Sequence, residues 1–375
     1  MPAVMNRRSA ATPPVLPGFS YVRPLGSGGF ADVFLYEQEM PRRVVAVKVL
    51  LADALNPEVL SSFAAEADVM ARLSAHPSIL TIYQASISAD GRPYLATEFC
   101  PDSYGVRYKQ APASLAETLD VGVRMASALE TAHRAGVLHR DVKPTNVLIA
   151  SLGTPVLADF GIAASLSAAD DGDESFAMSV PWSAPEVVSG STSGTVASEV
   201  WSLGATLYTL LAGRSPFASD DKTKNTRDAM ISRIIRAHYT ELGRADVPPA
   251  VEELLRSTMA KDPSKRPESM AALAEKLRWL QYELGQVPSP IEIAGGLGAG
   301  VSAASAGAPR GPVITTVNPD SRRAARAAAA SGRDPDAATR RASARRPIGL
   351  VVGLAVGAVV LVGAVVAVLL AVGVI

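Results

Sequence analysis

Apolar and polar positions divide the chain into four stretches. Between residues 19 and 283, strand-like and helix-like patterns alternate. Tyr21–Leu35 sets alternating apolar residues on both sides of a glycine-rich turn, a pattern that predicts a β-hairpin. Val44–Leu50 reads as an apolar strand interrupted by Lys48, and Val59–Leu73 has helical spacing. Gly136–Ile149 packs polar residues between two apolar strand-like pieces, which predicts a constrained loop at strand ends, and Pro155–Ala158 is a further apolar piece. Outside this region the pattern changes. Residues 1–18 are Pro-rich and expected to be disordered, and residues 284–347 are dominated by Ala, Gly, Pro, Ser and Arg without one aromatic side chain. Such a segment buries too little apolar area to offset its ordering entropy, so a flexible tether is expected, with a short helix over Ser321–Ser331 as the alternative. Ile348–Ile375 contains only Gly, Ala, Val, Leu and Ile. A bilayer core needs about 20 apolar residues as helix, and a buried core helix of this length would show a polar face. The stretch therefore predicts one transmembrane helix.

Charge orients that helix. Arg340, Arg341, Arg345 and Arg346 precede it and nothing charged follows, which predicts a single-pass membrane protein with the N-terminal side cytoplasmic and the C-terminus outside. Residues 1–18 carry positive charge but lack the apolar stretch of a secretory leader, in line with a cytoplasmic N-terminal region. No extracellular domain is expected. Gly349, Gly353 and Gly357 fall on one helix face, a spacing that would let two spans pack as a homodimer, although glycine is common in membrane helices anyway. Net charge is zero, so no global field points to nucleic acid. The single cysteine, Cys100, excludes an internal disulfide and fits a reducing compartment.

Candidate chemistry begins at the hairpin. Gly26, Gly28 and Gly29 would let backbone amides close over phosphate oxygens without Cβ obstruction. No helix is expected directly after this turn and no Lys-Ser/Thr ends it, which disfavours Rossmann and P-loop readings. Lys48 would be costly to bury inside an apolar strand without a partner. Glu66, in the helical run, is the candidate carboxylate; the alternatives are an edge-strand lysine pointing to solvent and a surface helix glutamate.

The loop motifs then bring a resemblance. His139-Arg140-Asp141, Lys143, Asn146, Asp159-Phe160-Gly161 and Ala184-Pro185-Glu186, in this order after the glycine-rich turn and Val45-Ala46-Val47-Lys48, resemble the eukaryotic-like protein kinase family. The resemblance covers about residues 19–283 and is closest in style to the membrane-anchored serine/threonine kinases of actinobacteria. It implies an α+β, two-lobed fold: a small β-rich N-lobe over 19–100 and a mainly helical C-lobe over 101–283, followed by the tether and the transmembrane helix. It also implies ATP as co-substrate, Mg²⁺ (with Mn²⁺ as an alternative ion) and proteins bearing Ser/Thr hydroxyls as substrates. In that pattern Lys48, paired with Glu66, would contact the α/β-phosphates, and Asp159 and Asn146 would hold the metal ions. Asp141 would orient the substrate hydroxyl and Lys143 would steady the γ-phosphate. Leu25, Val33 and Ala46 join the glycines in the nucleotide site, Thr97 matches the gatekeeper, and Glu98 and Cys100 would offer backbone groups to adenine. Arg266, in Lys261–Pro267, is expected to pair with Glu186.

This sequence departs from the family pattern at three places. Ala31 replaces the third loop glycine, Glu199 stands where an aspartate normally braces the catalytic loop, and Met178-Ser179 replaces Gly-Thr. Ser179 keeps a hydroxyl that could reach Asp141 and Lys143. Between Asp159 and Glu186, Ser175, then Ser167, and also Ser179 are candidate activation-loop phosphorylation sites beside an acidic run, and Arg140 is of the kind that goes with such regulation. Two domains on one membrane would favour trans-autophosphorylation. The rival reading is a membrane-anchored pseudokinase scaffold. A small-molecule kinase is disfavoured by Ala184-Pro185-Glu186 and the long segment before it.

Overall fold

The computed structural model describes residues 12–28, 31–52, 57–160 and 179–294, apart from the side chains of Pro57, Glu58, Val59, Ser62 and Glu66. Five strands form an antiparallel sheet: β1 (Phe19–Ser27), β2 (Ala31–Gln38), β3 (Arg43–Leu50), β4 (Ile82–Ile87) and β5 (Pro93–Glu98), in the order β1-β2-β3-β5-β4. The expected hairpin is β1–β2, with Phe19 opposite Gln38 and Ser27 opposite Asp32. Period-two alternation gives β3 two faces. Val45, Val47 and Val49 are buried with Phe34, Tyr36, Tyr94, Ala96 and Leu16 in a small core, while Ala46 and Lys48 are partly exposed on the other side.

Helix α1 (Pro57–Leu73) lies between β3 and β4 in sequence. Its last turns belong to the larger core: Met70 and Leu73, with Ile79 from the turn that follows, cluster with residues of the helical lobe. That lobe contains α2 (Tyr104–Gln110), α3 (Leu115–Arg134), the one-turn α4 (Pro185–Val188), α5 (Val196–Ala212), α6 (Arg227–Arg236), α7 (Pro249–Thr258) and α8 (Met270–Glu283). A small sheet of β6 (Asp102–Ser103), β7 (Val147–Ile149) and β8 (Pro155–Leu157) lies in the same part of the chain. Helix α5 is an interior helix, buried from Ser198 to Leu211 apart from Ser202. It starts with a capping box between Thr195 and Ser198 and ends at Gly213 in the left-handed region, φ 69°.

Two expected boundaries shift. Residues 12–18, expected to be disordered with the rest of 1–18, pack on the five-stranded sheet: Leu16 is 2% exposed and belongs to its core. The Tyr36 hydroxyl donates to Pro14 O at 2.6 Å and Arg92 donates to Thr12 O at 2.8 Å. Residues 284–294, expected to belong to the tether, run back over the helical lobe. Ser289 is 6% exposed, and Leu284 and Ile291 pack against the large core. Composition hid both segments, since a few buried apolar residues and side-chain bonds to backbone suffice to order a Pro-rich strand. Among the described residues no helix is long and apolar enough to cross a membrane. The 348–375 span, its glycine seam and the Ser321–Ser331 helix lie outside the described residues.

Candidate active site

The catalytic-loop residues sit between α3 and β7, held in place by buried groups. His139 is fully buried; its Nε2–H donates to Ala158 O at 3.0 Å and its Nδ1 accepts from Asp141 N at 3.3 Å. Burial pushes the His139 imidazole below its ordinary pKa, so the neutral ring that makes both bonds is favoured. Phe160 is buried beside it, with ring centroids 4.7 Å apart. The loop backbone is strained at Arg140 (φ 64°), and Asp159 across from it also has positive φ, 56°.

Glu199, the departure in α5, holds the strained turn. Its Oε1 accepts from Arg140 N at 2.6 Å, and Oε2 accepts from His133 Nε2 at 2.6 Å, with Glu199 only 2% exposed. The extra methylene relative to aspartate is thus absorbed, and a buried imidazole takes the second carboxylate oxygen. His133, in the last turn of α3, escaped the sequence reading; a histidine within an otherwise interior helix face was the available signal.

At the loop's open side four groups converge. Lys143 Nζ lies 2.8 Å from Asp141 Oδ2 and donates to Ser179 Oγ at 2.8 Å. Ser179 Oγ donates to Asp141 Oδ1 at 2.7 Å, so the serine hydroxyl reaches both. Asn146 Nδ2 donates to Asp141 O at 2.8 Å and to Asp141 Oδ2 at 2.9 Å. Its amide oxygen takes only a long bond, 3.4 Å, from the Thr145 hydroxyl.

Across the cleft, Lys48 Nζ donates to Asp159 Oδ1 at 2.7 Å. The lysine charge holds the Asp159 carboxyl below the usual carboxylate range, although desolvation opposes it. Strand register collects the remaining cleft residues: Val33 is opposite Lys48, and Ala46 is opposite Thr97. Thr97 is buried, and its hydroxyl donates to Ala46 O at 3.4 Å and to Glu98 O at 3.2 Å. The Glu98 carboxylate turns away from adenine's expected place and accepts from Thr81 N at 2.9 Å. Burial, and secondarily Glu98, pushes the Cys100 thiol up to about 12, so it stays protonated. Leu25 and Gly26 lie on β1, and Gly28 N donates to Ala31 O at 2.9 Å to close the turn. Gly29, Gly161, Ser167, Ser175, Met178 and the Glu66 side chain lie outside the described residues.

The donor set has the chemistry that a divalent cation requires. A half-exposed carboxylate (Asp159) and an amide oxygen (Asn146) are hard oxygen ligands. Mg²⁺ is typically bound by one or two such groups plus water and substrate phosphate, so these residues fit it. Below the cleft, Arg266 NH1 and NH2 donate to Glu186 Oε1 and Oε2 at 2.6 and 2.9 Å; the Arg266 side chain is fully buried and its guanidinium lies 5.1 Å from the Trp201 ring. This expected pair ties α4 to the turn before α8, and Arg266 NH1 also donates to Ala197 O of α5 at 2.9 Å.

Residues 19–278 match the family model described as protein kinase domain. The serine/threonine-protein kinase PknK of Mycobacterium tuberculosis is 38% identical over 282 residues, which are 74% of this chain and 25% of that protein. PknA of the same species is 33% identical over 261 residues, 68% of this chain and 59% of the relative. The probable serine/threonine-protein kinase PknB of Lactococcus lactis is 32% identical over 257 residues, 66% and 39% respectively. The chain thus spans only about a quarter of the length of PknK.

Proposed function

The chain belongs to the protein kinase family, and on that premise we propose that it transfers the γ-phosphate of ATP to serine and threonine hydroxyls of proteins. The observation that carries this reading is the cluster of Asp141, Lys143, Asn146 and Ser179 facing the Lys48–Asp159 pair across one cleft. Phosphoryl transfer requires little covalent chemistry from the protein and much positioning and charge stabilisation, which is what these groups offer.

In this proposal Asp141 takes up or orients the substrate hydroxyl proton, and Lys143 neutralises charge on the transferred group. Ser179 fixes both by its two short bonds. Lys48 reaches the α/β-phosphates, and the amides of Gly26, Gly28 and Gly29 close over them from above. Leu25, Val33, Ala46 and Thr97 enclose the adenine, with backbone groups of Glu98 and Cys100 at its edge. Asp159 and Asn146 would hold Mg²⁺, which when bound would supply neutralisation of phosphate charge.

The pseudokinase alternative rested on Glu199, Met178 and the activation segment. Against it stands the short bond from Glu199 to Arg140 N, which supports a braced catalytic loop. Control by activation-loop phosphorylation, at Ser175 first and Ser167 second, belongs to the same proposal and is supported by the acidic, serine-containing sequence and Arg140. So does anchoring by 348–375 in a cell membrane with the kinase domain in the cytoplasm, and homodimer formation through the glycine spacing of that span. Radiolabelled ATP and a generic basic protein, given to the full chain in detergent with Mg²⁺, test transfer. Mass spectrometry of the labelled chain tests the serines. Transfer without label at any serine of residues 161–178 would remove the activation-loop part alone.

A further inference from the structure

Residues 284–294 lie on a path with an unusual reach. After Gly285 turns the chain (φ 67°), Gln286 N donates to Gln281 O at 2.9 Å. Ser289, between two prolines, is clamped next. Its N–H donates to Gln281 Oε1 at 2.8 Å, its hydroxyl accepts from Gln281 Nε2 at 2.9 Å, and the hydroxyl donates to Asp120 Oδ1 at 2.6 Å. Gln281 and Ser289 are 2% and 6% exposed, so these are buried bonds joining α8, the tail and α3.

The chain then reaches the turn that follows α1. The backbone oxygen of Glu292 accepts from His76 Nε2 at 2.5 Å, and Ala294 N donates to Thr131 Oγ1 at 3.2 Å on α3. His76 is 5% exposed, and its Nδ1 accepts from Ser78 N at 3.0 Å, so one neutral ring bridges the tail and the turn. That turn is also sewn to β8 by Leu80 N to Leu157 O and Leu157 N to Ser78 O, both 2.9 Å. Met70 and Leu73 of α1 bury their side chains in the helical lobe's core. The base of α1 therefore rests on three supports, namely core packing, β8 and the tail. Glu66, the residue that the sequence pairs with Lys48, lies on the same helix upstream.

We infer that residues 284–294 form a latch that sets the pose of α1 from behind, with Ser289 and His76 as positioning residues for the phosphate end of the cleft. This rests on the kinase reading for its catalytic consequence, though not for its structural one. Docked, the tail bonds to His76 and keeps the turn over residues 74–81 in place; undocked, it leaves the His76 Nε2–H and the Ser289 clamp without partners, and α1 loses one support.

The test is amide hydrogen exchange on the full chain, with and without Ser289→Ala, read beside steady-state kinetics in ATP. The latch predicts roughly three- to tenfold faster exchange over residues 66–81, which are distant in sequence, at an unchanged rate in α5. It also predicts a several-fold rise in KM for ATP or fall in kcat. Ser289→Thr, which retains the hydroxyl, should restore protection. Faster exchange confined to residues 284–294 would overturn the proposal, and so would a uniform increase that includes α5. Exchange needs no turnover, so a full chain that transfers no phosphate would sink the kinase reading and leave the latch to be decided by exchange alone.

Discussion

On the floor of the cleft, Asp141, Lys143, Asn146 and Ser179 are joined by contacts of 2.7–2.9 Å and backed by the buried Glu199 and Arg266. On the roof, Gly26 and Gly28 are exposed, and a single turn bond from Gly28 to Ala31 spans the described tip. Under the proposed function, the contrast matches what each surface would be asked to do. Proton and phosphoryl transfer tolerate little misplacement, so the floor is fixed before substrate arrives. A lid of backbone amides must admit and release a nucleotide, so it gains from few constraints.

Five substitutions, the last two taken as a pair, probe that contrast from the largest expected effect down. Arg266→Ala leaves Glu186 partly buried without its partner and removes the brace under the floor. Breaking a buried pair in this way costs about 3–5 kcal/mol of stability, to be read from denaturant unfolding of the full chain. A loss below 1 kcal/mol would mean that the floor does not depend on this tie. Lys143→Met should lower kcat by about 10²–10³-fold, the usual loss for removing one group that stabilises transition-state charge, with ATP affinity nearly unchanged.

Glu199→Ala comes next. It strands Arg140 N and His133 in a buried site, at a cost of about 1–3 kcal/mol, and lets the strained loop relax, so kcat should fall along with stability. Retained kcat at full strength would show that the loop holds its shape unaided. The last comparison matches two glycines. A Cβ at Gly105, in α2, would meet Thr145 Cα and Cγ2 of the catalytic loop at 2.6 Å, while at Gly26 it would meet nothing within 4 Å. Gly105→Ala should therefore destabilise by about 1–3 kcal/mol, and Gly26→Ala by about 0.5 kcal/mol or less. Equal costs would remove the distinction between floor and roof.

The sequence made much of this arrangement legible. Alternation around the glycines predicted β1–β2. The carboxylate expected beside Lys48 was Glu66, whose side chain lies outside the described residues, and the bond to Asp159 was not foreseen. The loop motifs placed Asp141, Lys143 and Asn146 within one short segment, where proximity follows from spacing alone. What stayed hidden depends on residues far apart in the chain. His133 and Glu199 are separated by 66 positions, and His76 and Glu292 by 216, so no local pattern announces either bond. Residues 12–18 and 284–294 have linker-like composition, and it is their buried residues Leu16 and Ser289, the packing of Leu284 and Ile291, and their backbone bonds to Tyr36, Arg92, His76 and Thr131 that order them. Their burial is supplied by surfaces that belong to other elements.

The central claim is phosphoryl transfer from this floor. Its direct test is radiolabelled ATP with Mg²⁺ and a generic protein substrate, given to the full chain and to Asp141→Asn in parallel, with ATP binding measured for both. The account predicts label on the substrate from the native chain and about 10²–10⁴-fold less from the variant, at similar ATP affinity. Binding of ATP by both without label from either, or equal label from both, would contradict it.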